Sequence, residues 1–224
     1  MSATSRPAAL SEDLWAIANR VGTAAVSDVL NAQGVFNKAL KPGIGPLMPG
    51  SRLIGAARTM VSRPRETAPD PGREYAMLFE AIDGLSAGEV LVTDAMDCCV
   101  WGELCAERAR MRGANGTLID GFHRDTAELR RLGWPVFSRG AHPSDMLYHR
   151  EIVAIDQPVH CGGVYVASGD LIIADEDGVV VVPSGHVAAA LEAAGSKAAL
   201  ETEVRNALRE GASAAQAYER FGVF

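Results

Sequence analysis

From residue 52 to residue 138, short apolar runs of strand composition alternate with stretches of helical spacing, and this alternation restricts the fold more than any other feature. Strand signals cover 52–62, 89–93, 116–120 and 135–138. Helical spacing covers 74–83, 102–112 and 126–132. Strands that follow one another through helices lie parallel in one sheet, so the pattern predicts an α/β core with a partly parallel sheet. Residues 121–123, Gly-Phe-His, read as a turn. Residues 63–73 carry three prolines and five charges and read as a mobile surface loop.

Beyond residue 150 the pattern changes. Runs at 152–155, 164–166, 171–174 and 179–182 are short and β-rich, and Gly- and Asp-bearing turns separate them, which predicts antiparallel or mixed β-structure. A long helix is expected from Ser184 to about residue 209, and a last one over 212–220. At the other end, residues 1–10 look frayed, Ser11 is placed to cap a helix over 12–20, and Thr23 to cap one over 24–33 that Gly34 ends. Neither a repeat nor a linker divides the chain into independent units.

The net charge of −7 argues against nucleic acid as a partner, because a phosphate-tracking surface needs clustered cations. No apolar run reaches membrane-spanning length and the N-terminus lacks a signal-peptide pattern, so the expectation is a cytoplasmic protein without a membrane partner. Cys98, Cys99, Cys105 and Cys161 show no C-x-x-C or zinc-finger spacing and read as reduced, mostly buried thiols. The vicinal pair Cys98-Cys99 has no cationic neighbour in sequence that would lower a thiol pKa. Phosphate-loop, nucleophile-elbow, H-E-x-x-H and G-x-G-x-x-G patterns are all absent.

In open α/β sheets, ligands bind beyond the carboxyl ends of the strands. Three acid-bearing segments follow strand signals: Asp94 and Asp97 leading into Trp101-Gly102-Glu103; His123-Arg124-Asp125; and Asp175-Glu176-Asp177. Arg124-Asp125 is the most informative pair. A carboxylate in a strand-end turn suits a hard cation that keeps several waters, and an adjacent Arg can clamp a substrate carboxylate with two hydrogen bonds. The plainer alternative is that Asp125 caps the helix over 126–132 and Arg124 is a solvated charge. Glu103 has its own plain alternative, a favourable acid in a helix first turn. The backbone N–H groups from Glu103 to Cys105 could hold an anion. His123 reads as a structural or substrate-rim residue, and His142, His149, His160 and His186 show no ligand spacing.

The runs Trp101-Gly102-Glu103-Leu104-Cys105-Ala106, Gly116 through Glu128, Gly133-Trp134-Pro135-Val136-Phe137 and Gly169 through Val179 resemble the RraA-like group, which includes 4-hydroxy-4-methyl-2-oxoglutarate / 4-carboxy-4-hydroxy-2-oxoadipate aldolases. The resemblance runs from about Thr23 to Glu210. Its most specific element is R-D-x-x-[DE], here Arg124-Asp125-Thr126-Ala127-Glu128. It implies a swivelling β/β/α sandwich over 23–183, preceded by an N-terminal arm and helix (1–22) and followed by a C-terminal helical extension (184–224). It further implies homotrimers or homohexamers with active sites at subunit interfaces, and a class II, divalent-metal-dependent lyase that cleaves a 4-hydroxy-2-oxo acid to pyruvate, with oxaloacetate decarboxylation as a companion activity.

Carried onto this chain, the resemblance makes Asp125 the ligand of Mg2+, Mn2+ or another divalent metal, and Glu103 the holder of a metal-bound water. Arg124 contacts the pyruvyl group, the amides near Leu104 and Cys105 bind its carboxylate, and Asp28 arrives from a neighbouring subunit, with Glu201 or Glu203 as a further acid. Cleaving a C–C bond beside a keto acid leaves negative charge that needs a Lewis acid or a Schiff base. The only lysines are Lys38, Lys41 and Lys197, two in a Gly/Pro-rich loop and one on the last long helix, so the metal route is expected. The segment 94–100 and the loop 63–73 depart from the aldolase pattern, which leaves the substrate's other half open. The competing expectations are another enolate-type lyase on the same fold and a noncatalytic regulator of an RNA-degradation enzyme. In the resemblance, such regulators lack the acid after the Arg.

Overall fold

The computed structural model describes residues 10–94 and 96–224. Ser11 begins α1 (Glu12–Ala18) as expected, its side chain accepting from Leu14 N at 3.3 Å. The next helix, α2 (Thr23–Ala32), starts differently. Gly22 is its N-cap and Thr23 its first helical residue. Thr23 is tied across the molecule instead, its amide and hydroxyl donating to the Asp175 carboxylate at 2.9 and 2.6 Å.

The central elements follow in chain order: β1 (Gly45–Pro46), β2 (Leu53–Pro64), α3 (Ala76–Asp83), β3 (Glu89–Thr93), β4 (Cys99–Trp101), α4 (Glu103–Met111), β5 (Gly116–Leu118), β6 (Phe122–His123), α5 (Thr126–Leu132), β7 (Val136–Ser138) and β8 (Gly140–Ala141). The later part comprises β9 (Arg150–Ile155), β10 (Val159–Cys161), β11 (Val164–Val166), β12 (Leu171–Asp175), β13 (Gly178–Val182), α6 (Val187–Arg209) and α7 (Ala214–Phe221). The main sheet has the order β1-β7-β5-β3-β2-β12-β13. Its centre, β7-β5-β3-β2, is parallel, as helical crossovers require. The long strand β2 serves two antiparallel partners on its far side, β12 along Leu53–Ala56 and β9 along Met60–Pro64. That second pairing extends β2 through Pro64, into the stretch whose prolines and charges suggest a loop.

Three apolar clusters fill the layers. α3, α4 and α5 cover one face of the parallel strands through Leu78, Ile82, Ala106, Ala109 and Leu129. The hairpin β10–β11 covers the other face through Val159, Cys161, Val164 and Val166. α1, α2 and α6 pack on the β12–β13 end, where Val26, Leu30, Leu171, Ile173, Val180 and Leu191 meet. The result is a mixed α/β fold with a C-terminal helical extension. No helix among the described residues is long and apolar enough to cross a membrane.

Two further expectations need correction. Residues 121–123 are not simply a turn, since Phe122 and His123 form β6, the middle strand of a small parallel sheet β4-β6-β8. Elements of two or three residues are too short to show a period. The third acidic segment also lies away from the carboxyl ends of the parallel strands. Because β12 runs antiparallel to β2, with Ala174 opposite Leu53, Asp175 falls at the edge where β2 begins. There its carboxylate holds Thr23 and Asp177 N, and Glu176 accepts from Gly50 N. Those are structural duties.

Candidate active site at the Arg124–Asp125 turn

The small sheet β4-β6-β8 delivers the site. Arg124 follows β6 directly, and its amide donates to Trp101 O at 2.9 Å, extending the β4–β6 ladder by one bond. Asp125 then takes a left-handed backbone conformation, φ 56° and ψ 40°, which Asp tolerates better than most non-glycine residues. Asp125 stands at the N-cap position of α5 but makes no side-chain cap bond there. Its Oδ2 accepts instead from Glu103 N, the first residue of α4, at 3.1 Å. Asp125 therefore caps the neighbouring helix. A glycine is needed at 102 for this approach, because a Cβ built there would overlap Asp125 Oδ2.

Asp125 is 44% exposed, and its other oxygen has no hydrogen-bond partner among the described residues. Glu103 lies alongside in the first turn of α4. Of the three helix-start amides, that of Glu103 already donates to Asp125, whereas those of Leu104 and Cys105 donate to no partner among the described residues. Leu104 is 78% exposed, and the Cys105 thiol is pushed up by burial. Among the described residues, no three His, Cys, Asp or Glu side chains converge as a ready metal cage. A cation here would have one direct protein oxygen from Asp125 and water in most remaining positions, a set that fits Mg2+.

Arg124 is not a solvated charge. Its Nη1 lies 2.7 Å from Asp145 Oδ2, while its Nε is 4.0 Å from Asp125 Oδ2. The second oxygen of Asp145 accepts from Tyr75 OH at 2.9 Å and from Leu147 N at 2.8 Å. Burial and the Asp145 hydrogen bond push the Tyr75 hydroxyl up to about 12. Burial works against the charge on Arg124, but Asp145, Cys99, Asp125 and Tyr75 outweigh it and hold the guanidinium above its usual range. Asp145 and Tyr75 carry no motif. They enter only through tertiary contact, and the one local signal is an Asp ahead of the 3-10 turn Met146–Tyr148.

The remaining candidates are dispersed. Asp28 is exposed on α2 and pairs with Lys197 Nζ at 3.3 Å, and Lys197 also binds Glu201 at 2.5 Å. Among the described residues of one chain, no hydrogen bond or ion pair joins Asp28, Glu201 or Glu203 to Arg124 or Asp125. His123 is buried, with Nδ1 2.8 Å from Ser138 Oγ, and burial lowers its pKa. Cys98 and Cys99 are buried, and desolvation raises their thiols to about 11 and about 12.

A family profile described as RraA-like (Aldolase/RraA) matches residues 23–181. The chain belongs to the RraA-like family. Among curated relatives, Protein DlpA of Legionella pneumophila is 30% identical over 203 residues, which is 89% of this chain and 32% of that protein, so the chain spans about a third of that relative. A Halalkalibacterium halodurans protein named "Putative 4-hydroxy-4-methyl-2-oxoglutarate aldolase" is 31% identical over 201 residues, 88% of this chain and 90% of its own length. Among solved structures, Streptomyces coelicolor RraAS2, described as an unusual member of the RNase ES inhibitor RraA protein family, superposes with a TM-score of 0.77 at 29% identity. The match covers 91% of this chain and 99% of that one. The RraA-like region thus spans the whole main sheet up to β13 and contains both Arg124 and Asp125.

Proposed function

We propose that this RraA-like chain is a divalent-metal-dependent carbon–carbon lyase that releases pyruvate from a 4-hydroxy-2-oxo acid and also decarboxylates oxaloacetate. The observation that carries the reading is Asp125: one carboxylate oxygen fixed by the Glu103 amide, the other without a hydrogen-bond partner among the described residues, and an arginine beside it whose Nε edge donates no hydrogen bond there. Aldolase names among the relatives support the reaction class. Asp125, with Glu103 acting through water, would hold Mg2+, Mn2+ or another divalent ion, which supplies a Lewis acid for the charge left beside the keto group. Arg124 binds the pyruvyl fragment and faces the developing negative charge, where a preorganised cation is worth most. The free amides of Leu104 and Cys105 orient the substrate carboxylate. In a homotrimer or homohexamer a second copy would complete the site with Asp28 and a C-terminal acid, Glu201 or Glu203.

A Schiff-base route finds little support. Lys197 is clamped between Glu201 and Asp28, and the Glu201 hydrogen bond outweighs burial to raise its pKa, so it stays an ammonium. The test is coupled pyruvate release from oxaloacetate and from 4-hydroxy-4-methyl-2-oxoglutarate, with Mg2+ and then with EDTA. Asp125→Ala and EDTA are each expected to reduce turnover by about 100-fold or more. Metal-independent turnover, or activity that survives Asp125→Ala, would overturn the reading. The description of the Streptomyces relative supports a second reading, a regulator of an RNA-degradation enzyme. It prevails if the chain releases no pyruvate and instead captures and inhibits such a ribonuclease.

A further inference from the structure

We propose that Asp145, braced by Tyr75, is a positioning residue that selects which edge of Arg124 meets the substrate. The inference rests on the function proposed above and extends it to two residues outside the R-D-x-x-[DE] motif. Arg124 Nη1 is engaged by Asp145 Oδ2 at 2.7 Å, and neither Nε nor Nη2 has a hydrogen-bond partner among the described residues. Nε and Nη2 share one edge of the planar fork, the edge suited to side-on binding of a carboxylate. Nε lies 4.0 Å from Asp125 Oδ2, the oxygen that accepts from Glu103 N, so the free edge lies beside the Asp125 carboxylate. Asp145 forms an ion pair with the nitrogen that would otherwise let the guanidinium present its other edge.

Asp145 is itself held firmly enough to do this. Its Oδ1 accepts from Tyr75 OH and from Leu147 N, which leaves Oδ2 for Arg124. Its backbone forms a bridge with Cys99, and Cys99 N donates to Ser144 O at 2.8 Å, so Asp145 is fastened to β4. The same strand holds the Arg124 amide through Trp101 O. Arg124 and its carboxylate partner are therefore both tied to one strand, β4. Capping the 3-10 turn explains Oδ1 but not Oδ2, which points to the arginine. Arg124 is 42% exposed, and without this partner a long side chain in that setting samples several rotamers.

The experiment compares wild type, Asp145→Asn, Tyr75→Phe, Arg124→Ala and the Asp145→Asn/Arg124→Ala double variant in pyruvate release with Mg2+. Asp145→Asn is expected to lower kcat by roughly 10- to 100-fold with KM changed less than about threefold, because the loss falls on transition-state stabilisation. Tyr75→Phe should lower kcat by about threefold, with no further loss on top of Asp145→Asn. In the Arg124→Ala background, Asp145→Asn should cost less than about twofold. An unchanged kcat, or an equal loss with and without Arg124, would overturn the proposal. A second arm needs no turnover: phenylglyoxal labelling of the intact protein, mapped by mass spectrometry to the Arg124 peptide. Labelling should be several-fold faster in Asp145→Asn, and an unchanged rate would again overturn it. A wild-type chain that releases no pyruvate defeats the proposed lyase alone, while the labelling arm still reads the positioning.

Discussion

Replacing Gly102 with alanine probes the site without removing any of its functional groups. The backbone at 102 is extended, φ −135° and ψ −172°, so alanine meets no conformational strain there. The whole effect is local and steric: the new methyl overlaps Asp125 Oδ2, and ordinary van der Waals separation requires the carboxylate to retreat by roughly 1 Å. That movement breaks the 3.1 Å bond from Glu103 N. A charge-assisted bond of this kind contributes about 1.5–3 kcal/mol when sheltered, but Asp125 is 44% exposed, so the loss of stability should stay near 1 kcal/mol. Activity should suffer far more, since a misplacement of about 1 Å at a reacting centre costs on the order of 100-fold in rate.

The expected profile for Gly102→Ala is thus a urea midpoint close to wild type, pyruvate release down by about two orders of magnitude, and weaker Mn2+ binding by electron paramagnetic resonance. Full activity in a folded Gly102→Ala protein would show that the position of Asp125 does not matter to the chemistry. The reasoning from geometry to function would then fail even if Asp125→Ala were inactive.

Two other perturbations separate stability from the site. Asp175→Ala removes the acceptor for the Thr23 amide and hydroxyl and should lower unfolding free energy by about 1–3 kcal/mol, with activity per folded molecule unchanged; lost activity in a well-folded variant would refute the structural assignment. Cys98 and Cys99 should stay inert at pH 8, because thiols raised by burial to about 11 and about 12 leave roughly one thiolate in a thousand or fewer. The direction follows from the shift. Burial favours the neutral thiol, so that stabilisation is intact below the unfolded-state pKa of about 8.5 and is lost as pH rises toward these folded values. Rapid reaction of either cysteine with Ellman's reagent in the native protein at pH 8 would contradict it.

What could be read from the chain followed locality. Helix α5 covers the expected residues because its stop signal, Gly133 in a left-handed C-cap, sits inside the element's own sequence. The β12–β13 hairpin was legible from its Asp- and Gly-bearing turn for the same reason. The strands β4, β6 and β8 were not, because two or three residues pair only when a distant strand offers its edge. The duties of Asp125 were the hardest to read. Residue type and position favour a cap on α5, yet the left-handed backbone sends the carboxylate to the Glu103 amide of α4, a partner 22 residues upstream. Capping and catalysis, which the sequence poses as alternatives for this aspartate, need not compete. The bond to α4 uses one oxygen and fixes the carboxylate, while the second oxygen has no hydrogen-bond partner among the described residues and the side chain lies beside an arginine paired with Asp145. A group held by one structural bond with its other valence open is better placed to receive a cation than a freely rotating one, because the entropy of ordering it is lost at folding rather than at binding.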